Sequence, residues 1–342
     1  MNTVQQGAEK AKDASLDAGD IVAGLEAGGT KCIAGIGRVQ KNGLPEILEK
    51  VTIATTTPDE TLGRVHESFA AMSARYGAIR RLGIGSFGPL VLDRESPVFG
   101  ALDSTPKPGW SGFNILENLQ SVAGLVRLNT DVNAAALAEY HAADNQVKRL
   151  AYVTVGTGLG VGVVDRGVPY GGKRHIEMGH ITVRRHAQDM DYPGHCPFHG
   201  DCLEGLVCGP SITDRFGQKL SQLPSGHAAF EIIPYYLAQL VVAITYSHAP
   251  ERIIFGGGVT GAGTILPTIR TLAASMLQGY PASAGFPRVH FKMPSNGTEL
   301  TECDKTHQGH EAANTGMLSG YIQAPLLGAE AGLLGSMLLV TG

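Results

Sequence analysis

The hydrophobic positions of this chain fall in short alternating runs that break at glycine. Residues 21–26 read as a strand, Ala27-Gly28-Gly29-Thr30 as its turn, and 31–39 as the strand that returns. A third strand is expected at 51–56. From 59 to 76 the apolar positions recur at helical spacing behind acidic residues, and 81–85 is again a strand. Strands, a helix and a further strand predict an α/β domain.

The same opening returns later. Residues 150–155 read as a strand, Gly156-Thr157-Gly158 as a turn and 159–165 as the returning strand. A repeated unit of strand, Gly/Thr turn and strand fits a two-lobed, internally repeated fold. Between the copies, 133–141 is a strong helix former entered from 125–131. Beyond them, helices are expected at 203–217 and 228–247, a strand at 252–255 opening onto Gly256-Gly257-Gly258, and a small-residue helix at 328–339. The polar stretch 294–312 reads as an insertion or a mobile loop.

Composition adds one signal: 46 of 342 residues are glycine, nearly twice the usual ~7 %. They follow no three-residue period and form no low-complexity run, which excludes collagen and flexible linkers. The clusters at Gly28-Gly29, 83–88, 156–162 and Gly256-Gly257-Gly258 read as places where the chain approaches a ligand or turns at a cleft. A net charge of -4 gives no basic excess, so nucleic acid is not the expected partner. No apolar run is expected to act as a membrane helix of ~18 residues. The polar first twenty residues lack a signal core, so the protein is read as cytoplasmic. Five scattered cysteines do not make a disulfide framework.

Several constellations could carry chemistry. Glu26, Gly28, Gly29, Thr30 and Lys31 bring a carboxylate, free amides, a hydroxyl and an ammonium together. These groups suit phosphates and Mg²⁺, although a plain hairpin turn would look the same. Thr157 and Gly158 echo that turn. Gly83-x-Gly85-x-x-Gly88 formally matches a dinucleotide fingerprint, but Pro89 follows where a helix should open, so it reads as a strand-end turn. Asp131 stands at a strand–helix junction, as an N-cap or as a base; Thr130 or Asn133 could equally serve the cap. Cys196-x-x-His199-x-x-Cys202, with His180 upstream, has the composition of a tetrahedral structural zinc site, with His186 and His195 competing for the fourth place. Such a site would hold Glu177, His180 and Glu204 as groups able to read sugar hydroxyls. Trp110 ends a rigid loop as a ligand cover or a core plug.

Taken together these residues resemble the ROK family of sugar kinases, and within it the bacterial fructokinase branch. The resemblance is carried by GLEAGGTK at 24–31, GIGSFGPL at 83–90, STPKPGW at 104–110 and NTDVNAAALAE at 129–139. YVTVGTGLGVG at 152–162, EMGH at 177–180, CPFHGDCLEG at 196–205 and IIFGGGV at 253–259 continue it in the family's order. Departures point the same way. Glu26 stands where many members carry Asp. Thr130 stands where many glucose-type members carry Asn before the catalytic Asp, and their sugar-loop Asn is replaced near Lys107. The zinc loop lacks the three-cysteine pattern of the glucose and N-acetylmannosamine kinases.

The resemblance implies a duplicated actin-like ATPase (ribonuclease H-like) fold, α/β, two-lobed with a central cleft. It implies a lead-in at 1–20, a small lobe at 21–128 to which a helix at about 328–342 returns, and a large lobe at 129–327 carrying the zinc loop. The implied reaction is transfer of the γ-phosphoryl group of ATP, with Mg²⁺, to a hexose hydroxyl, most simply D-fructose to fructose 6-phosphate. A mannokinase or broad hexokinase is the alternative. Asp131 matches the catalytic base. Gly28, Gly29, Thr30, Lys31, Thr157 and Gly158 match the phosphate loops, and Gly256, Gly257 and Gly258 the turn near the adenosine. Gly88, Pro89, Asp131, Glu177, His180 and Glu204 match the sugar site, and His180, Cys196, His199 and Cys202 the Zn²⁺ ligands. The family also implies a homodimer, and it includes sugar-responsive repressors. Those carry a helix-turn-helix domain, for which the residues before the first strand are too few.

Overall fold

A computed structural model of the chain describes residues 16–143, 147–261, 265–280 and 318–341. Most of the lead-in, Cys303, Gly263 and the stretch 294–312 lie outside the described residues. In chain order the elements are β1 (Ile21–Ala27), β2 (Lys31–Val39), β3 (Pro45–Ala54), α1 (Pro58–Tyr76), β4 (Arg81–Ser86), α2 (Ile115–Leu119), β5 (Leu125–Thr130) and α3 (Asp131–Ala142). There follow β6 (Arg149–Val155), β7 (Leu159–Asp165), β8 (Val168–Pro169), α4 (Leu203–Val207), α5 (Gly209–Phe216), α6 (Ala229–His248), β9 (Arg252–Gly256), α7 (Leu266–Leu277), β10 (Ile322–Gln323) and α8 (Ala331–Leu338).

The chain forms two compact units. The first comprises Met1–Asp144, Gly167–His175 and Ala329–Gly342. Its sheet runs β3-β2-β1-β4-β5, with β1, β2 and β3 antiparallel and β4 and β5 parallel to β1. β3 begins at Pro45, ahead of the expected 51. Glu46, Glu49 and Lys50 make its first half look unlike a strand, but an edge strand needs only a partly buried face. In α1, Thr57 caps the first turn and Pro58 enters it. Leu62, Val65, Phe69 and Met72 recur on one face and are buried.

The last helix belongs to this unit. α8 packs closely on α3, β1 and β4. A Cβ on Gly83 would fall 1.6 Å from the Ser336 carbonyl oxygen, and one on Gly335 1.7 Å from that of Ala134. Gly83 and Gly85 are therefore small so that a helix can approach, rather than to bring backbone to a ligand. Those contacts also move the expected boundary at 128. The strand–helix junction 129–142, assigned to the large lobe, lies in the first unit because α3 packs on α8 and β4.

The second unit comprises Asn145–Arg166 and Ile176–Gly328. Its strands run β10-β9-β6-β7, with β7 antiparallel to β6, and β9 and β10 parallel. This repeats β5-β4-β1-β2 of the first unit, and in each copy three residues join the hairpin strands. The helix expected at 203–217 is two. Gly209-Pro210 breaks it, since proline has no N–H to continue the ladder, and buried Cys208 caps α5. α6 is long and apolar enough to cross a membrane, contrary to the expectation that no run was, but most of its positions are buried. Ile233, Tyr236, Leu237, Leu240 and Ile244 share one core with Val153, Val155, Val161 and Phe255. Its apolarity is what a core helix requires.

Candidate active site

In the first unit the β1–β2 turn leaves Thr30 and Lys31 exposed. Gly28 N–H donates to the Lys31 carbonyl at 2.9 Å, and a side chain at Gly28 would meet that oxygen at 2.8 Å. Glu26 lies at the end of β1, against α8. Its carboxylate accepts the Leu333 backbone N–H and fills the space a Cβ on Gly332 would need, 2.3 Å from Cδ. Oε2 is buried without a hydrogen-bond partner. Burial, then the Asp131 charge, push its pKa up to about 7, while Lys31 pulls it down. A buried carboxylate oxygen without a partner, near a second carboxylate, is a fitting donor for a divalent cation.

Asp131 opens α3 without capping it. The cap is Thr130, whose Oγ1 accepts the Asn133 N–H at 3.2 Å. Asp131 is thereby freed from that duty; its Oδ1 takes the adjacent Val132 N–H at 2.8 Å. Burial raises the carboxyl pKa, opposed by the Val132 N–H and the nearby His175. A raised pKa makes a stronger proton acceptor.

The Gly88-Pro89 turn is fixed by His175, a residue with no motif to single it out. Leu90 N–H donates to His175 Nε2 at 2.9 Å, and a Cβ on Gly88 would lie 3.3 Å from the same ring. Trp110 is a core plug. It is fully buried between the edges of Phe87 and Phe113, with ring centroids at 5.3 and 5.5 Å, and its Nε1 donates to the Thr56 carbonyl.

The second unit brings together two glycine turns. Gly257 has φ +92°, and any side chain there would strike the Val155 backbone at 2.4 Å. Val259 N–H donates to the Val155 carbonyl. The Gly256-Gly257-Gly258 turn is thus seated on the end of β6, where Gly156-Thr157-Gly158 begins. That turn is held from below: Gly209 N–H donates to the Gly156 carbonyl at 2.7 Å, and Glu204 Oε2 accepts the Leu159 N–H at 2.8 Å. Glu204, read from the sequence as a sugar contact, has one carboxylate oxygen engaged by the turn.

Four of the predicted metal-ligand side chains converge. Cys196 Sγ lies 3.8 Å from His180 Nδ1 and 3.7 Å from His199 Nδ1, and Cys202 Sγ lies 3.5 Å from His180 Nδ1. All four ligand atoms lie within 4.8 Å of one another. A tetrahedron with Zn–S of about 2.3 Å and Zn–N of about 2.0 Å has S···N edges of about 3.5 Å, so the set fits the ion. His195 instead faces Asp214 at 3.7 Å, and His186 Nδ1 accepts the Gln188 N–H. Glu177 Oε2 lies 4.0 Å from His180 Nε2, the ring nitrogen turned away from the sulfurs. Arg185 ties the loop down through Asp201 and the Tyr192 carbonyl.

The ROK family model matches residues 22–298. The chain is 39 % identical over 270 residues to a fructokinase of Zymomonas mobilis subsp. mobilis, covering 78 % of this chain and 88 % of that one. It is 38 % identical over 257 residues to a fructokinase of Lactococcus lactis subsp. cremoris, covering 75 % and 85 %. Its fold is similar to a ROK hexokinase from Thermus thermophilus, with TM-score 0.64, 25 % identity and coverage of 94 % and 97 %.

Proposed function

The chain belongs to the ROK family, an ATP-dependent sugar kinase of actin-like ATPase fold, and we propose that it phosphorylates D-fructose at the 6-hydroxyl with Asp131 as base. The observation that carries the base assignment is the Thr130 cap, which leaves the Asp131 carboxylate for chemistry. Asp131 accepts the proton of the sugar hydroxyl while that oxygen bonds to the γ-phosphorus. The bond from phosphorus to the β,γ-bridging oxygen breaks and ADP leaves, so charge and atoms balance. Gly29 with Thr30 and Lys31, in the turn that the Gly28 N–H closes, and Thr157 with Gly158, carry the phosphates. Gly256, Gly257 and Gly258 border the adenosine, and Gly88, Pro89, Glu177, His180 and Glu204 the sugar.

Glu26, whose buried Oε2 has no hydrogen-bond partner, would hold Mg²⁺, which when bound offsets phosphate charge. His180, Cys196, His199 and Cys202 would hold a closed structural Zn²⁺, which fixes their loop and does no chemistry on the sugar. Fructose is favoured by the fructokinase relatives, and the replacement of glucose-type asparagines at Thr130 and near Lys107 weighs against glucose. The same reading carries a cytoplasmic homodimer, which sedimentation would test. An ADP-release assay across fructose, mannose, glucose and the N-acetylhexosamines tests the substrate. Fructose should give the highest kcat/KM, and a higher value on mannose would replace it with the mannokinase reading.

A further inference from the structure

Thr55 follows β3 and is 5 % exposed. Each of its polar groups is engaged. The hydroxyl donates to the Gly28 carbonyl at 2.7 Å, and Cys32 Sγ stands 3.3 Å from the Thr55 hydroxyl oxygen. Its N–H donates to the Thr30 carbonyl at 3.0 Å, and its carbonyl accepts from Lys107 Nζ at 2.9 Å. The next carbonyl, Thr56, takes Trp110 Nε1 at 2.8 Å. The three-residue turn between β1 and β2 is therefore gripped from beneath at both ends by one residue. That residue is in turn clamped by the loop carrying Lys107 and Trp110. Burial keeps the Cys32 thiol protonated, so it can serve the Thr55 oxygen as a donor.

A turn that must present amides to a phosphate has to hold its peptide planes still. Within this turn the Gly28–Lys31 bond fixes the ends and leaves the Gly28 and Thr30 carbonyls to be anchored from outside. Thr55 supplies both anchors. Lys107 is half-buried and one of its ammonium protons is committed to the Thr55 carbonyl, which suits a strut better than a sugar contact.

We propose that Thr55 is the positioning residue of the Gly28–Lys31 phosphate turn, and that Lys107 and Trp110 brace it, so that the 104–110 loop governs nucleotide handling. The inference rests on the reading of that turn as a phosphate loop. Steady-state kinetics with ATP and D-fructose, or D-mannose should the acceptor panel favour it, tests it on the full chain. Thr55→Val removes the hydroxyl at constant shape and should raise KM for ATP about tenfold, the effect of one buried hydrogen bond. KM for the sugar should stay within about twofold, since no sugar contact is lost. Thr55→Ser should recover ATP handling, which a purely volumetric role would not predict. Lys107→Met should shift KM for ATP in the same direction and carries the test by itself if Thr55→Val does not fold. Unchanged KM for ATP in folded Thr55→Val, or a change in Lys107→Met confined to the sugar, overturns the proposal. Thr30→Ala and Lys31→Ala are measured alongside. If neither alters KM for ATP, the phosphate-turn reading itself fails. If they do and Thr55→Val does not, only the positioning role fails.

Discussion

Glu204 accepts the Leu159 N–H at 2.8 Å and stands 2.7 Å from where a Cβ on Gly158 would fall. The carboxylate that opens α4 beside Cys202 thus supports the second Gly/Thr turn. Glu204→Ala leaves the Leu159 N–H without its partner, a cost of about 1–3 kcal/mol. Glu204→Gln keeps an acceptor and should be milder. Thermal denaturation of the two variants should rank them in that order, and equal losses would remove the anchor.

Asp131→Asn preserves shape and the bond to Val132 but removes the proton acceptor. The expected fall in kcat is about 10²–10⁴. Calorimetric ATP binding should persist. A variant that turns over at the wild-type rate would end the base assignment.

Gly332→Ala places a methyl group in the Glu26 carboxylate, 2.3 Å from Cδ. Either the carboxylate or α8 must move, with an expected cost of about 1–3 kcal/mol in stability. Because Glu26 is the proposed cation donor, the Mg²⁺ concentration needed for half-maximal rate should rise as well. A variant that loses stability with an unchanged Mg²⁺ curve would separate Glu26 from the cation.

Protein purified without added metal should contain about one zinc per chain, given the four converging ligands. Cys202→Ser should lose the metal and lower Tm by several degrees. Elemental analysis that finds no zinc removes the site.

His141 is depressed below its ordinary 6.5 by burial, and its Nδ1 is buried without a partner among the described residues. Below pH 6.5 the unfolded chain takes a proton there that the folded chain refuses. Stability is therefore lost as pH falls from 6.5 toward the folded pKa, with a slope of at most about one proton. Denaturation midpoints between pH 7 and 5.5 should fall less in His141→Gln than in the parent.

The hairpins, their glycine turns and the Cys/His loop were legible because each is local. Strand ends, turn chemistry and ligand spacing lie within a few residues of one another. Thr130 as the cap was readable as one of three options, beside Asp131 and Asn133, and only the Asn133 N–H decided it. What escaped depends on partners far away in the chain. Nothing near Gly83 announces Ser336, nothing near Thr55 announces Lys107, and His175 has no motif until Leu90 donates to it. The split at Gly209-Pro210 was readable, but the apolar period running through it concealed it.

The seat of α8 on β1, β4 and α3 sets an order of events during synthesis. The ribosome makes nearly the whole second unit between α3 and α8. Until that stretch has emerged, the grooves at Gly24, Gly83 and Gly85 stay bare, and Glu26 lacks the Leu333 N–H. A nascent chain therefore cannot complete its first-made sheet before its last-made helix. Ribosome-bound intermediates should depend on chaperones that cover that open face, and a stop codon just before 331 should strike the earliest strands hardest.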